Sequence, residues 1–210
     1  VVGIVLGVYI GTIVLLNIPN IQQAMSVFVA EELSEVLNTK VVIGRINMGL
    51  LNRIIIDDVL LDDQSGQEML KVTRLSAKFD IMPFFKGKIS ISSVQLFGFN
   101  INLRKETPDS PPNFKFVLDA FASKDTVKKE NSLDLRINSI LIRRGRMSYH
   151  VLSEEETPGK FNAKHIQLQN IIANISLKAL SKDSLNLGIK RLSLDEKASG
   201  FSLKKMSLKL

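Results

Sequence analysis

The sequence predicts a mainly β protein, in which an N-terminal transmembrane helix and an amphipathic capping helix precede a long, twisted and curved β-sheet with short covering helices. Three observations predict it. Residues 1–30 contain no charged side chain, residues 19–39 repeat apolar side chains at intervals of three and four, and beyond residue 40 the apolar period drops to two. These divide the chain into an anchor (1–18), a capping helix (19–39) and a sheet domain (40–210).

The anchor rests on residues 1–16, VVGIVLGVYIGTIVLL, which are apolar apart from Thr12, with Glu31 the first charge. A helix over residues 1–18 spans roughly 27 Å at ~1.5 Å per residue, slightly short of the ~30 Å hydrocarbon core of a bilayer. The sequence does not begin with Met, so the expectation is that preceding residues, with Lys or Arg among them, complete the span. A cleavable signal peptide and a buried core helix are the alternatives. A signal peptide needs small residues at its cleavage site, and Asn17-Ile18-Pro19-Asn20 supplies none, which favours an uncleaved anchor. Gly3, Gly7 and Gly11 recur every four residues. That spacing suits either a packing face for another helix or the ordinary glycine content of membrane helices.

Pro19 sits where a helix start tolerates a missing N–H. After it, Ile21, Ala24, Met25, Phe28, Val29, Leu33, Val36 and Leu37 follow a helical period, with Glu31, Glu32 and Glu35 largely opposite. This segment is expected to cap the end of a sheet, with Ile21, Phe28 and Leu33 as the capping residues and Phe28 and Leu33 packed on the first strands. Three glutamates argue against a helix lying on an anionic bilayer.

Eight strands are expected, over residues 41–48, 54–61, 69–79, 89–103, 133–151, 161–177, 185–194 and 201–210. In 133–151 the odd positions Leu133, Leu135, Ile137, Leu141, Met147, Tyr149 and Val151 are apolar, and Asp134, Arg136, Asn138, Arg144, Arg146, Ser148 and His150 occupy even ones. One face is greasy and the other wet. Elsewhere the parity slips. Ile166 and Leu168 give way to Ile171, Ala173, Ile175 and Leu177, and Leu185, Leu187 and Ile189 give way to Leu192 and Leu194, so bulges are expected near Asn170 and Lys190. Residues 80–87 read as a connector packed on the sheet. Residues 113–122 read as a short covering helix with Asn113 as its N-cap, and residues 123–132 and 153–159 as solvated loops.

No constellation asks for catalysis. The net charge of +7 suits nucleic acid, an anionic lipid surface or an acidic partner, and the absence of cysteine excludes disulfides and thiolate metal sites. His150 and His165 are the only histidines, and neither has a second His or a Cys at metal-ligand spacing, so no metal site and no cofactor are expected. Asp57-Asp58 and Asp62-Asp63 read as a solvated hairpin end beside the turn Gln64-Ser65-Gly66. Neither a nucleophile elbow nor a phosphate-binding glycine loop appears. Arg143, Arg144 and Arg146 cluster, as do Lys204, Lys205 and Lys209, but with no Trp and two Tyr they lack the stacking platforms that nucleic acid requires. They read as solvated faces, or as contacts for lipid phosphate or an acidic partner.

The order of parts carries a resemblance. An apolar anchor and a capping helix lead to Val41-Val42-Ile43-Gly44-Arg45-Ile46 and to the strand 54–61. Then Leu75-Ser76-Ala77-Lys78-Phe79-Asp80 leads to Lys88-Ile89-Ser90-Ile91 and Val94-Gln95-Leu96-Phe97-Gly98, before Asn113-Phe114 opens a helix. Over residues 1–150 this resembles the start of AsmA-like proteins of the TamB translocation and assembly type. The resemblance implies a single-pass inner-membrane protein with its bulk in the periplasm, and a taco-like sheet enclosing a hydrophobic groove. It also implies involvement in phospholipid movement to the outer membrane or in outer-membrane protein assembly with an Omp85-type barrel. The family offers no catalytic residues. Its members are usually much longer, so the chain is expected to be a fragment lacking the distal part that meets the barrel.

A groove for acyl chains needs a continuous apolar surface and no polar recognition, which a long sheet with one greasy face supplies. A closed sandwich core would use the same alternation. The candidate groove residues are Leu133, Leu135, Ile137, Leu141, Met147, Tyr149, Ile171, Ile175 and Leu177. Phospholipid and the inner membrane are the expected partners, with the barrel reached through the missing part. The alternative is a scaffold of an assembly complex that transports nothing itself.

Overall fold

A computed structural model describes residues 2–49, 52–80, 91–121, 138–181 and 184–209. Two helices, α1 (Val2–Leu16) and α2 (Pro19–Leu37), precede the strands β1 (Val41–Gly49), β2 (Arg53–Asp62), β3 (Glu68–Phe79) and β4 (Ile91–Lys105). A short helix, α3 (Lys115–Phe121), lies before β5 (Ser139–Val151), β6 (His165–Ser181), β7 (Ser184–Glu196) and β8 (Ser202–Lys209). The eight strands form one sheet in sequence order, antiparallel throughout except for the parallel pair β4–β5. Among the described residues β1 and β8 do not meet, so the sheet keeps two open edges.

α1 is held mainly at its end, with one tie midway, where the Tyr9 hydroxyl donates to Asn52 Oδ1 at 3.4 Å. The Asn17 side chain donates to the carbonyls of Ile13 and Met48 at 2.7 and 2.9 Å, and Gln22 Nε2 donates to Asn17 Oδ1 at 3.1 Å. Most of the helix stands free: Ile4, Val8, Ile10, Val14 and Leu15 are exposed, and a methyl group added at Gly3, Gly7 or Gly11 would meet open space. Among the described residues no single helix is long and apolar enough to cross a membrane; the bent pair Gly7–Leu16 and Pro19–Leu37, at 70°, passes by length and composition only.

α2 begins at Pro19 and ends at Asn38, whose left-handed backbone (φ 48°) lets its N–H close on the Glu35 carbonyl while Thr39 N–H reaches Ser34 O. Its sheet-facing stripe is Gln22, Met25, Ser26, Val29, Ala30, Leu33 and Leu37, spaced by three and four. Leu33 packs as expected and Ile21 is half-buried. Phe28 does not: it is 62% exposed, on the opposite side with Val27. α2 carries two apolar stripes, and the one with the small residues Ser26 and Ala30 wins because it lets the helix approach β1 closely. The polar groups that this buries are satisfied, since the Ser26 hydroxyl donates to the Gln22 carbonyl at 2.7 Å.

The expected strands correspond to β1–β8 within a few residues at most ends, apart from β5, whose expected first residues 133–137 fall outside the described ones, as do the connector 81–87 and the loop 123–132. Residues 153–159 are turns and bends between β5 and β6. Asn113 is not a helix cap. Its side chain accepts from Arg104 N–H at 3.0 Å and donates to Asn102 O and Asp63 Oδ2 at 3.0 and 3.1 Å, tying β4 to the β2–β3 turn. Asp63 corrects a second expectation, because it is 2% exposed rather than solvated. Its carboxylate accepts from Ser65 N–H and Oγ and from Gln67 N–H, and pairs with Arg104 Nη2 at 2.6 Å. Burial alone would raise its pKa, but the Ser65 and Asn113 side chains and the Gln67 and Ser65 N–H groups outweigh that and hold it below the ordinary value.

Candidate functional site

The candidate site is one face of the sheet, and a sequence feature shared by all eight strands builds it. Each strand contains a three-residue step, between apolar side chains in seven of them, Ile43 to Ile46, Ile56 to Val59, Val72 to Leu75, Leu96 to Phe99, Leu168 to Ile171, Ile189 to Leu192 and Leu203 to Met206, and in β5 from Ile142 to Gly145, which has no side chain. In a regular strand a step of three moves the second side chain to the other face. Here the slip is absorbed. In β2, β4, β5 and β6 the residue just before the apolar side chains resume has positive φ: Asp58 (56°), Gly98 (64°), Arg144 (55°) and Asn170 (54°). The expected bulge at Asn170 is one of these, matched by the register shift between Gln169 and Ile172, and the shifts between Asn174 and Ile175 and between Ile189 and Leu192 bracket the one expected at Lys190. From β1 to β5 the slips stand at the same level and form a crease across those strands; in β6, β7 and β8 they are displaced along the strand, and register shifts carry the ladder on.

The register then lines the apolar residues up. Ile46, Ile56, Leu75, Leu96, Ile142, Ala173, Leu192 and Met206 are successive cross-strand partners from β1 to β8. So are Met48, Ile54, Ala77, Val94, Ile140, Ile175, Ile189 and Leu208. Cross-strand partners share a face. Two rows therefore cross the whole sheet without a polar side chain, and seven interstrand spacings of ~4.8 Å make each a track of roughly 34 Å. A third row, Val41, Leu61, Leu70, Ile101, Met147 and Leu168, runs from β1 to β6.

Among the described residues the face has a covered end and an uncovered stretch. At the β1 end, Val41, Ile43, Ile46 and Leu61 pack under Met25, Val29 and Leu33 of α2 and under Phe114, Phe116 and Val117. Beyond it, a second cluster around Val72, Phe99 and Ile171 draws, among the described residues, on strands alone, from Val59 on β2 to Leu194 on β7. Most of its members are half-buried. At its centre the Phe99 ring lies on Gly145, where a Cβ would fall 2.4 Å from Phe99 Cε1 and Cζ.

Of the residues expected to line a groove, Met147, Tyr149, Ile171 and Ile175 belong to this face, and Leu177 stands in register with Leu187. Leu133, Leu135 and Ile137 lie outside the described residues. Leu141 is a correction: its partners are Gln95 and Asn174, on the polar face, because the Arg144 bulge exchanges odd for even positions. Ile140 and Ile142 take the apolar side instead. The signal that identifies them is the same three-residue step that betrayed the Asn170 slip.

The opposite face is charged. Arg45, Asp57 and Arg74 are successive partners, with Arg74 Nε donating to Asp57 at 2.6 Å. Arg143, Arg144 and Arg146 are exposed, and the Arg144 guanidinium lies 5.1 Å from the Phe97 ring centroid. At the β7–β8 turn, Glu196 is 2% exposed and accepts from Gln167, Ala198 and Ser199 N–H groups and from the Ser199 hydroxyl. Burial opposes ionisation there, but the Ser199 side chain and the Ser199, Ala198 and Gln167 N–H groups hold the carboxyl down at about 2. The structure also joins the two histidines that the sequence keeps apart: His150 and His165 are direct partners across β5 and β6.

No family model, curated protein or solved structure matches the chain.

Proposed function

We infer that this protein holds or conducts phospholipid acyl chains along the apolar face of its sheet, as an inner-membrane-anchored periplasmic protein of the AsmA/TamB type, and that it acts by binding rather than by catalysis. The observation that carries the reading is the pair of eight-residue apolar rows. An acyl chain needs apolar contact along its whole length, and a track of roughly 34 Å across the strands offers it while a head group stays in water. A core needs only local complementarity, and nothing about a core requires apolar residues in unbroken register from one sheet edge to the other. Support for the anchor comes from α1, uncharged and exposed along most of its length, and from Val27 and Phe28, which turn a second apolar stripe outward.

The test is a photo-crosslinking side chain placed at Ile142, Met147 or Leu141 of the full chain in membranes, followed by mass spectrometry of captured lipid. Ile142 and Met147 should capture phospholipid and Leu141 should not. Capture at none of the three makes the face a sealed core, and the scaffold of an assembly complex with an Omp85-type barrel then replaces the conduit.

A further inference from the structure

His150 is the last residue but one of β5 and His165 opens β6, and the loop between the strands carries Glu156. The Nδ1 atoms of the two imidazoles face each other at 3.0 Å, with ring centroids 5.3 Å apart and planes tilted by 55°. Two neutral rings presenting lone pairs at that distance repel, so the contact requires either a proton or a cation between them. The tautomer of His165 is set by its surroundings. Its Nε2 lies 2.9 Å from the Glu154 carbonyl, which only accepts, so Nε2 carries the hydrogen and the neutral ring presents its Nδ1 lone pair to His150.

This is the arrangement that metal-binding histidines use: one ring nitrogen donates to a backbone carbonyl, which orients the ring and raises the basicity of the other. A third donor stands beside the pair. Glu156 Oε1 is 3.7 Å from His150 Nδ1, and the three ligand atoms lie within 4.8 Å of one another. Tetrahedral zinc with Zn–N bonds of ~2.0–2.1 Å sets its ligands about 3.3 Å apart, so the nitrogens must separate by only a few tenths of an ångström. Glu156, exposed on its loop, is free to close in. Glu156 and His165 also line a cleft with Thr157, Asn162 and Lys197, which has room for water.

We propose that His150, His165 and Glu156 form a site for a divalent transition metal of the zinc class, which staples the β5–β6 connection at the rim of the sheet. Two imidazoles and one carboxylate favour zinc, cobalt, nickel or copper over calcium and magnesium, which take all-oxygen sites. The proposal is independent of the lipid reading, since the site lies at the strand ends and uses none of the apolar rows.

The test uses the full chain in mild detergent, without a polyhistidine tag and stripped with chelator. Cobalt(II) is titrated in, its visible absorption is followed, and zinc is then used to displace it. One equivalent should bind with the intense spectrum of a four-coordinate site, and His150→Asn and Glu156→Gln should each weaken binding at least ~10-fold. Glu156 is exposed and its replacement leaves the fold alone, so that variant remains informative even if His165→Asn does not fold. Failure to bind one equivalent, or unchanged affinity in either His150→Asn or Glu156→Gln, overturns the proposal.

Discussion

Replacing Gly145 by alanine tests the crease on which the apolar face depends. Gly145 has no positive φ, so alanine is conformationally acceptable there, and through the unfolded state it should stabilise by about 0.4–1 kcal/mol. The surroundings reverse that sign. The new methyl would lie 2.4 Å from Phe99 Cε1 and Cζ and 3.0 Å from Ile171 Cβ, against an optimal carbon–carbon separation of ~3.5–4.0 Å. Phe99 and Ile171 are 7% and 8% exposed and sit in one cluster, so a ring that must move by about 1 Å displaces neighbours as well. Overpacking of this kind costs about 1–3 kcal/mol, which leaves a net loss of roughly 1–2 kcal/mol. Urea unfolding in mild detergent, followed by far-ultraviolet circular dichroism, measures it. Phe99→Leu removes the outer ring atoms that clash. The double variant should therefore lose at least about 1 kcal/mol less than the sum of the singles. A neutral or stabilising Gly145→Ala, or strict additivity with Phe99→Leu, would refute the packing of Phe99 on this glycine.

Two further outcomes follow from the burial pattern and from the β7–β8 turn. Leu33→Ala should cost about 1–3 kcal/mol because it opens the contact between α2 and β1, whereas Phe28→Ala should stay within about 0.5 kcal/mol; equal costs in urea unfolding would mean that α2 is rotated from the orientation described. Glu196 has its folded pKa depressed from 4.5 to about 2, so its contribution is complete above the unfolded value and disappears as pH falls through that window. Urea midpoints measured down an acid series should drop more steeply for the wild type than for Glu196→Gln, and parallel curves would show that the turn does not depend on the carboxylate.

Much of the architecture was legible in the residues. The switch from a helical period to a period of two after residue 40 located both long helices and the eight strands, because each element must present one side to a core and its backbone geometry dictates the spacing. The parity slips at Asn170 and Lys190 were legible for the same reason. What escaped was the slip at Arg144, masked by a run of odd apolar positions on either side, and with it the face of Leu141. Phe28 escaped because α2 has two apolar stripes, and helical periodicity says that a stripe exists without saying what lies against it.

The sequence by itself determined the elements, the apolar content of each strand and the lack of charge at the start of the chain, since these depend on local backbone geometry and on side-chain transfer between water and apolar surroundings. Tertiary structure decided what depends on register. Only cross-strand pairing turns separate three-residue steps into a crease over β1 to β5 and two unbroken apolar rows over all eight strands. Only the β5–β6 hairpin brings the Nδ1 atoms of His150 and His165 to 3.0 Å. Periodicity is a property of a single strand, whereas register is fixed by which partner satisfies its hydrogen bonds, and that choice is made by the assembled sheet.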